Sequence, residues 1–167
     1  MGGPQSDRRN GPDEASPRHV GHDRLLVVVG FDGSEPAVRA LDAARRFISG
    51  RVGTIEVVYV AHLSVGAGMS SEAQVELRRD FDAAEAQFAE DVRVRMEDHE
   101  KRWRFQRRDG PIVHELLAVA DELSRDYGDE ATVVIVVGSA VQTYHHVVGS
   151  VPVGLVRHAK YPVVVVP

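Results

Sequence analysis

Three short clusters in this sequence place residues able to bind a ligand directly after apolar runs. The first is Gly30-Phe31-Asp32-Gly33-Ser34, where a carboxylate follows the run Leu25 to Val29. A carboxylate there can accept hydrogen bonds from a ribose hydroxyl or an adenine amino group. It can equally shape a turn or cap a helix, because Asp before Gly is common in turns. The residues leave both readings open. The second cluster is Val60-Ala61-His62 and the third is Gly138-Ser139-Ala140. Gly30 and Gly33 read as backbone devices rather than ligand contacts.

Other chemistries fall away on residue type or context. With no cysteine, disulfides, thiolate zinc sites, Cys nucleophiles and thiol redox steps are excluded. A metal trio of His62, His145 and His146 has neither an i,i+4 helical pair nor a flanking carboxylate behind it, so no metal site is expected. His19-Val20-Gly21-His22 spells the H-x-G-H pattern of nucleotidylyltransferases, but it stands before the first strand instead of after it. Neither the S-G-G-x-D-S loop of ATP pyrophosphatases nor a G-x-S-x-G elbow is present. No catalytic group is therefore assigned, and the chain is expected not to be an enzyme. Lys101, Arg102, Arg104, Arg107 and Arg108, interleaved with Trp103 and Phe105, could suggest a nucleic-acid strip. Glu97, Asp98, Glu100 and Asp109 dilute its field, and the net charge is -5, so no nucleic-acid partner is expected.

The elements that must position these clusters alternate in type. Leu25 to Val29, Ile55 to Ala61, Val133 to Val137 and Val163 to Val166 are short apolar, largely β-branched runs, as in strands buried on both faces of a parallel sheet. Trp103, Phe105 and Arg107 alternate with Arg104 and Gln106, which suits a half-exposed edge strand. Between the runs lie helical periods. Ser34 caps a helix with Pro36 in its first turn and a stripe of Ala37, Ala40, Leu41, Ala44 and Ile48. A long helix spans about Ser71 to His99, with Leu77, Phe81, Ala84, Phe88, Val92 and Met96 on one face. Gly110-Pro111 opens a third over Ile112, Leu116, Ala120, Leu123 and Tyr127, and Val151 to Ala159 forms a short fourth. The order βαβαβαβαβ with right-handed crossovers predicts an α/β fold, an open doubly wound parallel sheet of five strands with helices on both faces. Ligands in such sheets bind beyond the carboxyl ends of the strands, where strand order reverses.

The sequence from about residue 24 to 167 resembles the universal stress protein family. The resemblance rests on Val28-Val29-Gly30-Phe31-Asp32-Gly33-Ser34-Glu35-Pro36-Ala37, Gly110-Pro111, Val136-Val137-Gly138-Ser139 and Gly149-Ser150-Val151. It closes on Leu155-Val156-Arg157-His158-Ala159 and Pro162 before the valine run. It implies strand order 3-2-1-4-5, a homodimer, a role in stress adaptation and, in many members, ATP binding. On that likeness Asp32 would meet the ribose or adenine, and the backbone at Val60 the adenine edge. Gly138, Gly149, Ser150 and the Val151 amide would form the phosphate cradle.

ATP-binding members carry a loop of pattern G-x-x-G-x9-G-[ST], in which glycines let backbone N–H groups approach phosphate oxygens. Here Gly138 supplies the first glycine and Gly149-Ser150 the last pair. Position 141 is Val, and seven residues instead of nine separate it from Gly149. A β-branched residue in a shortened loop argues against tight ATP binding in the usual pose. His145 and His146, inside that loop, could supply charge or be plain solvated surface.

The remaining expectations concern the ends of the chain. Seven of the first 22 residues are Gly or Pro and only Met1, Ala15 and Val20 are apolar, which predicts a flexible tail over 1–22 ahead of one domain over 23–167. No apolar run approaches the length of a membrane span and no signal core follows the early basic residues, so a cytoplasmic protein without membrane attachment is expected. Under the order 3-2-1-4-5, Val163 to Val166 is an edge strand. Pairing it with its copy in a second subunit would cover it, giving a homodimer. An unidentified protein partner could also engage the tail or the long helix.

Overall fold

The computed structural model describes residues 24–61, 70–99, 102–139 and 149–167. The expected tail, the H-x-G-H stretch, His62, Lys101, Val141, His145 and His146 lie outside the described residues. Five strands, β1 (Arg24–Gly30), β2 (Gly53–Ala61), β3 (Trp103–Asp109), β4 (Ala131–Gly138) and β5 (Val163–Val166), alternate with four helices. The helices are α1 (Glu35–Ile48), α2 (Ser71–Arg95), α3 (Ile112–Tyr127) and α4 (Ser150–His158). The strands form one parallel sheet in the order β3-β2-β1-β4-β5. This is the doubly wound α/β architecture that the element order predicts, with the strand order that the family resemblance implies.

The pleat of β1 divides the core in two. Val27 and Val29 face one layer with Ala40, Leu41, Ala44 and Ile48 of α1 and Val92 of α2. Leu26 and Val28 face the other, with Leu116, Val119, Ala120 and Leu123 of α3 and Leu155 of α4. α1 begins where its cap predicts: Ser34 Oγ accepts the Ala37 N–H at 3.3 Å and Pro36 occupies the first turn. Tyr161 donates to Asp121 Oδ1 at 2.6 Å, tying the α4–β5 connection onto α3.

The α2–β3 flank departs from the periodicity reading. Of the stripe on α2 only Val92, together with Met96 just past its end, is fully buried, while Leu77, Phe81 and Ala84 are half-exposed. The helix ends at Arg95, and Glu97–His99 form a separate 3-10 turn. β3 is an edge strand whose Trp103 and Phe105 pack against the α1–α2 core layer. Its arginines are largely spent inside the molecule. Arg102 donates to the carbonyls of Ile48 (2.7 Å), Arg51 and Gly53 (3.2 Å), closing the end of α1 against β2. Arg107 bonds Asp82, Glu85 and Asp109, and its hydrogen bond to Asp82 leads the contacts that hold the guanidinium charged. Arg108 bonds Glu122 of α3. Arg104 remains exposed, 3.9 Å from Glu56.

Glu56 is the surprise of this flank. It stands in the middle of β2 at 4% exposure, among valines, and accepts one bond from Gln106 Nε2 at 3.3 Å. Gln106 Oε1 in turn accepts from Arg108 Nε at 3.0 Å. The chain Glu56–Gln106–Arg108–Glu122 thus crosses from β2 through the edge strand to α3, and a one-residue slip of β3 would aim its polar side chains at the apolar layer.

Burial pushes the Glu56 carboxyl above its ordinary value, against the opposing pull of Arg104, the Gln106 hydrogen bond and Arg108. With a raised folded-state value, the folded chain keeps a proton that the unfolded chain has already released. Glu56 therefore costs stability as pH climbs through and above the ordinary glutamate range, and costs none below it. Glu56→Gln, which keeps an acceptor for Gln106, is expected to lose less stability than the parent between about pH 4 and 7 in urea unfolding. A steeper loss in the variant would contradict this assignment.

Candidate functional site

β1 and β4 lie side by side, but the helices that follow them lie on opposite faces: α1 packs in one core layer and α4 in the other. A crevice opens between these two helices, beyond the carboxyl ends of the strands. It holds a cavity of about 400 Å³, within the size range of small-molecule sites. Asp32, Val60, Gly138, Gly149, Ser150 and Val151 all line it. These six, from four separate elements and their loops, lie around one cavity; Ala61 and Ser139 do not line it, and His62, Ala140, His145 and His146 lie outside the described residues.

Each of these positions has a local cause. Asp32 Oδ1 accepts the Ser34 N–H at 3.0 Å, the turn-forming role open to it from sequence, and the residue stays exposed on the cavity rim. A carboxylate has acceptor capacity beyond one such bond, so the two readings of Asp32 are compatible. Gly138 permits the closest approach in the site: a Cβ there would lie 2.2 Å from the Pro36 carbonyl oxygen. Its glycine identity serves the packing of β4 against the first turn of α1. α4 starts from Gly149, which offers no side-chain cap, and Pro152 occupies its first turn. The early N–H groups of a helix have no acceptor within it, and they carry the positive end of the helix dipole.

Apart from Ser34, the rest of the lining carries no polar side chain; it includes Val58 and Val137 from the strands, Ile112 and Leu116 from α3, and Pro36 and Ala37 from α1. Sequence reasoning missed these as site residues because their signal is core periodicity. Leu116 is indeed fully buried. Only their place around the crevice makes them a ligand surface. Among the described lining residues Asp32 carries the only formal charge and no side chain is cationic. Such a pocket suits a flat, largely uncharged ring system with a few hydrogen-bonding groups near Asp32. Among the described residues no group of three His, Asp or Glu side chains is arranged to hold a metal ion. No described helix is long and apolar enough to cross a membrane.

Sheet order, the switch-point cavity and its glycine-bounded edge define an open doubly wound α/β domain of the kind that takes ligands at its strand ends. The particular branch is also established. The family model for the universal stress protein family matches residues 26–167, and the chain belongs to that family. Among solved structures it is similar to the universal stress protein UspA from Lactobacillus plantarum, at 22% identity and a TM-score of 0.70, covering 87% of this chain and 99% of that one. A universal stress protein in complex with cAMP matches at 22% identity and TM-score 0.62, covering 86% and 97%. A family member from Burkholderia pseudomallei matches at 24% identity and TM-score 0.57, covering 85% and 95%. No curated protein sequence gives a significant match.

The tight approach at Gly138 yields a direct test. Gly138→Ala is expected to destabilise the protein by about 2 kcal/mol, since a backbone carbonyl rather than a flexible side chain must move aside. Urea unfolding measures it; a loss within error of zero would show that the contact relaxes freely.

Proposed function

We propose that this protein is a dimeric, non-enzymatic universal stress protein of the cytoplasm that acts in stress adaptation and holds an adenine nucleotide weakly, by its nucleoside end. The observation that carries this reading is the switch-point cavity, with the Asp32 carboxylate at one rim and apolar walls from Val58, Ile112, Leu116 and Val137. The walls offer a ring system the contacts it needs, and Asp32 can accept from ribose or amino groups. Hold on a polyphosphate is weak for two reasons. Val141 replaces a loop glycine and the stretch to Gly149 is two residues shorter than in ATP-binding relatives, and the described lining supplies no cation. One solved relative of the same fold was crystallised with cAMP, which supports a single-phosphate ligand as a fit to such a cavity. No triad, metal cluster or activated nucleophile is found among the described lining residues, and catalysis forms no part of the reading.

Dimerisation rests on β5. Val163–Val166 pairs only with β4 among the described strands, and all four valines are half-buried in the single chain. A bare valine edge invites pairing, whereas the opposite edge, β3, is studded with charge.

Calorimetric titration with ATP and Mg²⁺ is expected to give a dissociation constant no tighter than about 0.1 mM, and Asp32→Ala should weaken whatever binding is seen. Micromolar ATP binding would overturn the weak-hold reading. In sedimentation equilibrium the expected mass is that of two chains; a monomer mass independent of concentration would remove the dimer.

A further inference from the structure

α2 is attached to the molecule in two unlike ways. Its last turns are held by apolar contacts: Val92 is fully buried, as is Met96 beyond it, and Phe88 packs on the same core layer. From Ser71 to Gln87 no side chain is fully buried. That part is held by Arg107 of β3, whose Nη1 donates to Asp82 Oδ1 at 2.6 Å and Glu85 Oε2 at 3.2 Å. The same guanidinium stands 5.9 Å from the Phe81 ring centre. Asp82 is 69% exposed and Glu85 39%, against 16% for Arg107, so the carboxylate side of these ion pairs is open to water and to screening by salt.

Phe88 is the point at which α2 meets the candidate site, although no residue of α2 lines the described cavity. Its ring packs edge-on against Phe31 at 5.9 Å and Tyr59 at 5.1 Å between centres. Phe31 itself lines the cavity. On the other side of Asp32, Gly33 has φ of +75° and lies so close to the same ring that a Cβ would come within 2.3 Å of Phe88 Cε1. Both neighbours of Asp32 in the chain therefore rest on one side chain of α2. The glycine is required there twice over, by its left-handed backbone and by the ring beneath it.

We infer that Phe88 is a positioning residue for Asp32, and that the β1–α1 loop and α2 shift as one unit, so that filling the cavity tightens the Arg107-held half of α2. The inference rests on the reading that the cavity takes an adenine nucleotide. Close-packed aromatic contacts have no slack in which to absorb a displaced loop. The ion-paired half of the helix is the part whose attachment is cheapest to strengthen or release. Coupling of this kind is reciprocal, so changing Phe88 must change nucleotide affinity.

Two measurements on the full chain test it, with ATP–Mg²⁺ and cAMP as probes at millimolar concentration. In hydrogen–deuterium exchange, either nucleotide that binds is expected to slow exchange of amides across residues 71–90 severalfold, and Phe88→Leu to abolish that slowing. In NMR titrations Phe88→Leu is expected to weaken affinity about fivefold in the parent, and to have no further effect in an Asp32→Ala background, because it acts through Asp32. Phe88→Met serves in its place should the leucine variant not fold. Binding with unchanged exchange across 71–90, or additive effects of the two substitutions, would overturn the coupling and leave the nucleotide reading intact. Absence of binding by both nucleotides would overturn the two together.

Discussion

β1 is buried on both faces from Leu26 to Val29, and almost everything else in the molecule follows from satisfying that one strand. A strand with no solvent-facing side needs a layer of helices above and another below, and parallel neighbours whose crossovers deliver them. α1 and the end of α2 fill one layer, and α3 with α4 the other. Because the helix after β1 packs in one layer and the helix after β4 in the other, the crevice at the ends of these strands is a consequence of the core rather than an addition to it. The apolar walls of the cavity are the same two layers continued past the sheet.

Two glycines show how closely this geometry is drawn. Gly138 lets β4 end against the carbonyl of Pro36, and Gly33 lets the loop after β1 rest on Phe88. In both places the glycine serves a contact within the protein, as the backbone reading of Gly33 expects. The edge of the cavity is consequently shaped from behind, by α1 in one case and α2 in the other. Asp32 is fixed between them by its own bond to the Ser34 amide.

The flank formed by α2 and β3 obeys a different rule. Here the sheet ends, apolar cover thins, and the contacts become ionic: Arg107 to Asp82 and Glu85, Arg108 to Glu122, and the buried Glu56 reached through Gln106. Charge on an edge strand disfavours pairing with further strands, and β5 at the opposite edge carries four valines instead. The basic strip that could have suggested nucleic acid is mostly turned inward to carbonyls and carboxylates of the same chain.

Strand identity, helix starts and the loop after the first strand were legible in the sequence because each leaves a local mark, whereas the strand order and the roles of Val60, Gly138, Gly149, Ser150 and Val151 were implied by the family resemblance. Apolar runs marked the buried strands, Ser34 and Pro36 marked the start of α1, and Gly30 to Ser34 marked the loop at the switch point. Residues whose role depends on what lies across space left no such mark. Glu56 among valines, Arg102 capping a helix that ended 54 residues earlier, and Phe88 under Gly33 are invisible to periodicity. The stripe on α2 was overread for the same reason: spacing shows that Leu77, Phe81 and Ala84 share a face, and only tertiary packing decides whether anything covers it. The sequence by itself determined which segments are buried and so which fold can bury them. The assembled structure alone decided which side chains stand around the crevice, because a cavity is made by elements distant in the chain whose separation no local pattern encodes.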